Sequence, residues 1–424
     1  MTCIHIIYGL IELATFYLLG PLIVFCLVPS SMCRSASGSI KKAESVYPTA
    51  KDIIERTLMP SPEVINLGYE AIADHAFNSD HSLLAVARNN IAELYYDLGN
   101  SFEFGAALKG HDRKVTAVDI NSQNEIVTCS QDRNAYVWKA QSDGSWKPTL
   151  VLLRINRAAT SVKWSPNGLK FAVGTGARVI AVSYYDEPND WWISKHIKKP
   201  LKSTVLSIDW HPNSVLLASG STDGHARVFS GYIKGIDTRP EPSAWGERLP
   251  FQTLCFDYVN DSQAWVDDVA FSPSGNALAW ATHDSSIFVA YPSGPDQPPL
   301  AVHEIDAVSL PYQSLVWTTE SQLVAGGFDC FPVVYEGSQS GWKLARNLDD
   351  PKSHKDRGQA TEQSAMHMFR ELDLKGTQNE STLLPTIHQN AIRTVRYIGT
   401  NYKGKSGPPK VSTSGDGKVV IFSV

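Results

Sequence analysis

The chain has 424 residues, 43% of them hydrophobic and 19% charged, with a formal net charge of -5. With a pI of about 6.2 it has no global attraction for nucleic acid or an anionic membrane surface, so neither is expected as a partner. Its six cysteines, Cys3, Cys26, Cys33, Cys129, Cys255 and Cys330, form no CxxC pair and no zinc spacing. Buried reduced thiols are expected, with no metal site.

The first segment is unlike the rest. Ile4 to Val28 reads IHIIYGLIELATFYLLGPLIVFCLV, and about 25 apolar-rich residues are enough to cross a bilayer. Arg34, Lys41 and Lys42 follow as a cationic flank. Against a span stand His5, Glu12 and the Gly20-Pro21 break, and no Lys or Arg precedes the run as a signal peptide requires. Three readings stay open: a membrane anchor, a cleaved or regulatory extension, and a non-native or unstructured leader. The third is preferred, because a regular repeat begins almost at once after Met59. The expected division is an N-terminal extension over 1–58 and one repeat domain over 59–424.

From Ile72 onward a unit of strand, turn, strand, turn, strand recurs about every 45 residues. Its first turn reads Pro-Asn/Ser-Gly or similar, as in VKWSPNGLKFAVG from Val162, IDWHPNSVLLASG from Ile208 and VAFSPSGNALAWA from Val269. Its second turn carries an aspartate shortly before an aromatic: Asp132 in SQDRNAYVW, Asp223 in STDGHARVF, Asp284 in THDSSIFVAY, Asp329 in GFDCFPVVY and Asp416 in SGDGKVVIF. Such an aspartate accepts hydrogen bonds from its own tight hairpin and from a neighbouring His, Ser or Thr. His111, His211 and His283 are read in the same structural sense. With Gly110-His111 upstream, the pattern resembles the WD repeat.

Seven units are centred near Asn89, Asp132, Arg178, Asp223, Asp284, Asp329 and Asp416; the third has Gly176-Ala177-Arg178 in place of the aspartate. One unit cannot bury both its faces, so the units must stack, and a ring leaves only short edges. The expected fold is all-β: a seven-bladed WD-repeat β-propeller. The chain ends directly after the strand KVVIFSV, so the last blade needs an outer strand from elsewhere, and PEVINLGY (Pro62–Tyr69) is placed to supply it.

Three stretches depart from the repeat. Ser194 to Ser203 reads SKHIKKPLKS, whose Lys195, Lys198, Lys199 and Lys202 form a candidate patch for an acidic partner segment, or a solvated inter-blade loop. Gly231 to Pro250 is a Pro- and Gly-rich gap. The third, 346–384, separates the last two units and contains SAMHMFRELDLKG. There Ala365, Met368, Phe369 and Leu372 fall at i, i+3, i+4 and i+7, with Ser364 as N-cap and Gly376 as stop, which predicts an amphipathic helix over about 364–375.

Catalytic patterns are missing: neither GxSxG nor HExxH occurs, and no catalytic activity or cofactor is expected. Gly399 to Ser406, GTNYKGKS, matches the phosphate-loop pattern, but Gly407-Pro408-Pro409 and another strand follow where a helix would have to start. A basic hairpin loop is expected there.

Several segments together resemble subunit 1 of the actin-related protein 2/3 complex, the nucleator of branched actin filaments. They are WKPTLVLLRINRAATSVKWSPN from Trp146, NDWWISKHIKKPLKSTVLSIDWHPNSVLLASGS from Asn189, WGERLPF from Trp245, SGNALAWATHDSS from Ser274 and LVAGGFDCFPVVY from Leu323. The resemblance runs from about Met59 to Val424, and MPSPEVINLG is similar to that family's usual start. It implies a non-catalytic scaffold in the cytoplasmic actin cytoskeleton, at cortical actin patches. The implied partners are the two actin-related proteins, the small subunits, the actin filament and the acidic tails of nucleation-promoting factors. It also implies that the insertion helix, through Ala365, Met368, Phe369 and Leu372, protrudes toward actin. A WD-repeat adaptor of another multiprotein assembly is the alternative, against which RINRAA and NDWWISKHIKKP speak.

Overall fold

The computed structural model describes residues 61–99, 101–294, 297–307, 309–349 and 384–424. The hydrophobic N-terminal segment and the predicted helix over 364–375 lie outside the described residues. Among those residues the helical content is one 3-10 turn, Glu187–Asn189, and no helix is long and apolar enough to cross a membrane.

The rest is strand, arranged as seven four-stranded antiparallel sheets. The first strand, β1 (Glu63–Asn66), stands apart from its neighbours in sequence. Blade 1 is β2 (Asp74–Phe77), β3 (Leu83–Arg88), β4 (Ile91–Asp97) and β5 (Phe102–Lys109). Blade 2 is β6 (Val115–Ile120), β7 (Ile126–Ser130), β8 (Ala135–Ala140) and β9 (Trp146–Val151). Blade 3 is β10 (Ala159–Trp164), β11 (Lys170–Thr175), β12 (Ile180–Asp186) and β13 (Trp191–Ile197). Blade 4 is β14 (Val205–Trp210), β15 (Leu216–Ser221), β16 (His225–Ser230) and β17 (Leu254–Val259). Blade 5 is β18 (Val266–Phe271), β19 (Leu278–Thr282), β20 (Ser286–Tyr291) and β21 (Ala301–Asp306). Blade 6 is β22 (Tyr312–Thr319), β23 (Gln322–Gly327), β24 (Val333–Ser338) and β25 (Gly341–Asn347). Blade 7 is β26 (Thr394–Tyr402), β27 (Lys405–Ser414) and β28 (Lys418–Ser423), with β1 as its outer strand.

Each blade is covered on both faces by its neighbours, and the second strands show it. β3, β7, β11, β15 and β19 are buried at every residue, so they show no alternation and read as apolar runs broken by a few buried polar side chains such as Lys170 and Arg88. Close approach of the blades sets residue size. A Cβ on Gly220 would meet Val266 Cγ1 of the next blade at 2.7 Å. The core is accordingly seven clusters, one at each blade interface. In the last of them Ile65, Val419 and Ile421 meet Ile72, Leu84 and Val86 of blade 1.

The ring closes through β1, which pairs antiparallel with β28 in the register Ile65↔Val419. Leu67 N–H donates to Gly417 O at 3.0 Å, and Lys403 Nζ reaches Glu63 Oε1 at 3.1 Å. The two ends of the repeat array share one sheet, so opening the ring requires breaking a blade.

Two features differ from the reading of three strands per unit and a Pro- and Gly-rich gap over Gly231–Pro250. Each unit carries a fourth, outer strand. These strands are half-exposed and mixed in composition, as in β9, WKPTLV, where Pro148 is tolerated because an outer strand leaves one edge unpaired. The Gly231–Pro250 gap is packed. Ile233, Trp245 and Leu249 are buried, Trp245 Nε1 donates to Gly275 O at 2.7 Å, and Asp237 pairs with Lys170 of β11. The GTNYKGKS stretch is the hairpin between β26 and β27. Its two turn residues, Lys403 at φ 52° and Gly404 at φ 72°, have the left-handed conformations of a type I′ turn.

Candidate functional site

The turn aspartates join the second hairpin of a blade to the strand entry beside it. His111 shows the fullest case. Burial, outweighing the pull of Asp132, holds its imidazole below its ordinary pKa and so neutral. Its Nδ1 lies 2.7 Å from Asp132 Oδ2 and its Nε2 lies 2.9 Å from Thr128 Oγ1. Trp138 Nε1 donates to the same Thr128 oxygen at 2.9 Å. The direction of this chain is fixed: tryptophan N–H to threonine, threonine O–H to Nε2, Nδ1–H to the carboxylate. Blade 7 repeats it with His388 2.6 Å from Asp416 and 2.7 Å from Thr413, Phe422 standing where blade 2 has tryptophan. Asp223 takes two bonds from Arg227 Nη1 at 3.0 Å. Asp284 accepts from Ser262 and Thr282, and Asp329 accepts Leu310 N–H at 3.0 Å. His211 serves its own turn, accepting Asn213 N–H at 3.0 Å.

The central channel holds a polar cluster that no sequence motif announces. A cavity of about 620 Å³ is lined by Asp74, Asp119, Lys163, Asp209, Asp268 and Arg396, among others. Four of these carboxylates reach sideways to the next blade. Val118 N–H donates to Asp74 at 3.0 Å, Trp164 N–H to Asp119 at 2.8 Å, Phe271 N–H to Asp209 at 2.9 Å and Leu315 N–H to Asp268 at 2.8 Å. Arg396 of blade 7 spans to Asp74 of blade 1 and Asp119 of blade 2 at 2.9–3.0 Å. Lys163 Nζ lies 3.8 Å from Asp209 Oδ1. Burial raises the Asp209 and Asp268 carboxyls above their usual range. These groups are committed to holding adjacent blades in register. Among the described residues no group of His, Cys, Asp and Glu could hold a metal ion.

A second feature lies on the outside of blade 3. Arg154, Ser194, Lys195, His196, Lys198, Phe251 and Gln252 line an open groove of about 600 Å³. Lys195 Nζ sits 5.7 Å from the Tyr184 ring centroid and 5.9 Å from that of Phe251. Arg154 donates to Ser194 O. His196 is held below its ordinary pKa by burial, with Lys198 and Arg154 adding to that against its bond to Leu153 O; the lining holds three cations, Arg154, Lys195 and Lys198, and no carboxylate. Of the four lysines read from the linear run, Lys195 and Lys198 line it. Lys199 and Lys202 are exposed and do not line it; the backbone N–H of Lys202 donates to Asp223 at 3.0 Å. Arg154 and Phe251 were missed, since they come from segments far apart in sequence. The RINRAA text that contains Arg154 was the available signal.

The helix positions Ala365, Met368, Phe369 and Leu372 lie outside the described residues. The described flanks of that insertion are tied together where blades 6 and 7 meet: Ile387 N–H donates to Asp349 Oδ2 at 2.7 Å.

Comparison with known proteins agrees with this architecture. The WD domain, G-beta repeat family matches residues 102–139 and 194–230. The chain is 46% identical over 383 residues to actin-related protein 2/3 complex subunit 1 of Schizosaccharomyces pombe, covering 86% of this chain and 100% of the relative. It is 43% identical over 375 residues to the subunit 1 of Saccharomyces cerevisiae, covering 83% and 94%. Against subunit 1A-A of Xenopus laevis it is 45% identical over 360 residues, again covering 83% and 94%. The chain therefore belongs to the actin-related protein 2/3 complex subunit 1 family.

Proposed function

We propose that the protein is the non-catalytic propeller scaffold of an actin-related protein 2/3 complex in the cytoplasmic actin cytoskeleton, at cortical actin patches, where it supports nucleation of branched filaments. The observation that carries this reading is the identity of 43–46% to named subunits over 83–86% of the chain. A ring whose channel charges are spent on its own blades supports a role as a rigid body for other chains. Its partners on this reading are the two actin-related proteins and the small subunits. The insertion helix contacts the actin filament through Phe369 and Leu372, with Ala365 and Met368 on the same face, as an amphipathic helix does in a groove. Burying a Phe and a Leu contributes about 1.5–3 kcal/mol each before ordering costs. The groove around Lys195 and Lys198, with Lys199 and Lys202 nearby, receives acidic tails of nucleation-promoting factors.

Purification of the tagged endogenous protein, with mass spectrometry of what accompanies it, tests the scaffold role. Two actin-related proteins and the small subunits are expected, and their absence overturns it. Phe369→Ala with Leu372→Ala is expected to weaken filament-side binding while the complex still assembles. Normal branching by that double variant removes the helix from the contact.

A further inference from the structure

One end of the ring, where blades 5 and 6 meet, exposes a strip of aromatic side chains held in place by the turns that carry them. Trp265 is 52% exposed, Leu310 53% and Phe328 38%. His283 joins the strip, with its ring 5.5 Å from Trp265 and 6.2 Å from Phe328, centroid to centroid. Backbone bonds set the spacing. His283 N–H donates to Trp265 O at 2.9 Å, and Phe328 N–H to Pro311 O at 3.1 Å. Leu310 N–H is bound by Asp329 at 3.0 Å. Asp267 Oδ2, 2.8 Å from His283 Nδ1, fixes the imidazole between its two neighbours. A strip ordered in advance loses little side-chain freedom on binding. Half-exposed tryptophan beside phenylalanine and leucine is the kind of anchor that interfaces concentrate.

The surroundings select the partner's charge. Asp284 follows His283 in the same turn and accepts from Ser262, the residue after Asp261, and Asp306 pairs with Ser286 across β20 and β21. Asp329 follows Phe328 in the turn that presents it. Arg393, just ahead of β26, is a basic residue at the entry to the next blade. An aromatic strip in an acidic rim complements a cationic segment, whose arginine or lysine heads meet the carboxylates and lie over the rings. This polarity is opposite to that of the Lys195–Lys198 groove, so the two surfaces do not share a ligand.

We propose that the Trp265–His283–Phe328 strip is the docking surface for a basic, arginine- or lysine-bearing segment of a partner polypeptide. The probe is a photo-cross-linking group in place of one ring, Phe328→p-benzoylphenylalanine, in the full chain purified with the proteins that assemble on it. The expected product joins residue 328 to a segment of another polypeptide with net positive charge. Its yield should fall about tenfold when Asp261→Lys and Asp306→Lys are combined, because the rim is then repulsive. Trp265→Ala should lower the yield as well, and both exposed-site variants should keep the thermal midpoint of the parent. Cross-links to an acidic or uncharged segment, to this chain's own residues 350–383, to a second copy of this chain, or to nothing at all overturn the proposal. So does a yield that survives the charge reversal. Co-purification of the complex is scored on the same sample, so failure of the scaffold reading registers separately.

Discussion

Asp237→Ala should be among the most damaging single substitutions outside the blade cores. Lys170 is fully buried on β11, and its ammonium meets three things: Asp237 Oδ2, Gly231 O at 2.8 Å and the face of Trp210 at 5.0 Å. Burial lowers the lysine from its usual value and Asp237 opposes that shift. Asp237 Oδ2 also accepts Ile233 N–H at 2.7 Å, so the pair fastens the Gly231–Pro250 segment to blade 3. Without the carboxylate, an unpaired buried ammonium costs about 3–5 kcal/mol. The alternative is deprotonation, which costs about 4–5 kcal/mol at pH 7 for a lysine with an ordinary value near 10.4. The two routes converge, and the expected loss is about 4 kcal/mol. The sign of the pH dependence follows. In the variant the folded lysine is depressed below the unfolded one, so the unfolded chain binds more protons and stability rises with pH toward the unfolded value. At pH 9.5 the deficit should shrink to about 1 kcal/mol. Equilibrium urea unfolding of parent and variant at both pH values measures it, with Lys170→Met plus Asp237→Leu as the apolar control, expected within about 1–2 kcal/mol of the parent. A deficit below about 1 kcal/mol at pH 7, or one that does not change with pH, refutes the buried-charge explanation.

The remaining predictions concern ring closure and the turns. Ile65→Ala, at a position 7% exposed in the closing strand, should cost about 2–4 kcal/mol and make the β1 segment the first site of proteolysis; unchanged protease resistance would mean β1 is not what closes the ring. Arg396→Met leaves Asp74 and Asp119 facing one another in the channel, and should lower stability by about 3–5 kcal/mol in urea unfolding. Asp416 is pushed up by burial, but bonds from His388 and Gln389 N–H outweigh that and hold it below its usual value of 3.8. A depressed carboxylate contributes stability above its unfolded pKa and loses it as pH falls through the folded one. The stability gap between parent and Asp416→Asn should therefore be widest at neutral pH and close below pH 3.8; a gap independent of pH would show that the charge is not what matters.

How much of this was legible in the sequence depended on how far apart the interacting residues are. The unit count, the turn aspartates and the candidate closing strand Pro62–Tyr69 follow from short-range features: alternation along a strand, Asn, Gly and Asp in turns, and a last unit one strand short. The outer strands were harder, because a half-exposed edge such as WKPTLV carries no clean alternation. The linear run SKHIKKPLKS suggested a cationic patch, yet strand direction and turn bonding divide it, placing Lys195 and Lys198 in the groove and Lys202 beside Asp223.

Sequence by itself determined that seven units must stack, since each is apolar on faces it cannot cover alone. Only the tertiary structure decided which charges meet. Arg396 finds Asp74 and Asp119 across 322 and 277 positions of chain, and Lys170 finds Asp237 across 67. Arg154 and Phe251 complete a groove with Lys195, and Trp265 and Phe328 align through His283. Hydrophobic periodicity repeats within each unit and so can be read along the chain. A buried or clustered charge is stabilised by a partner whose position is set by ring closure, and closure is a property of the whole array.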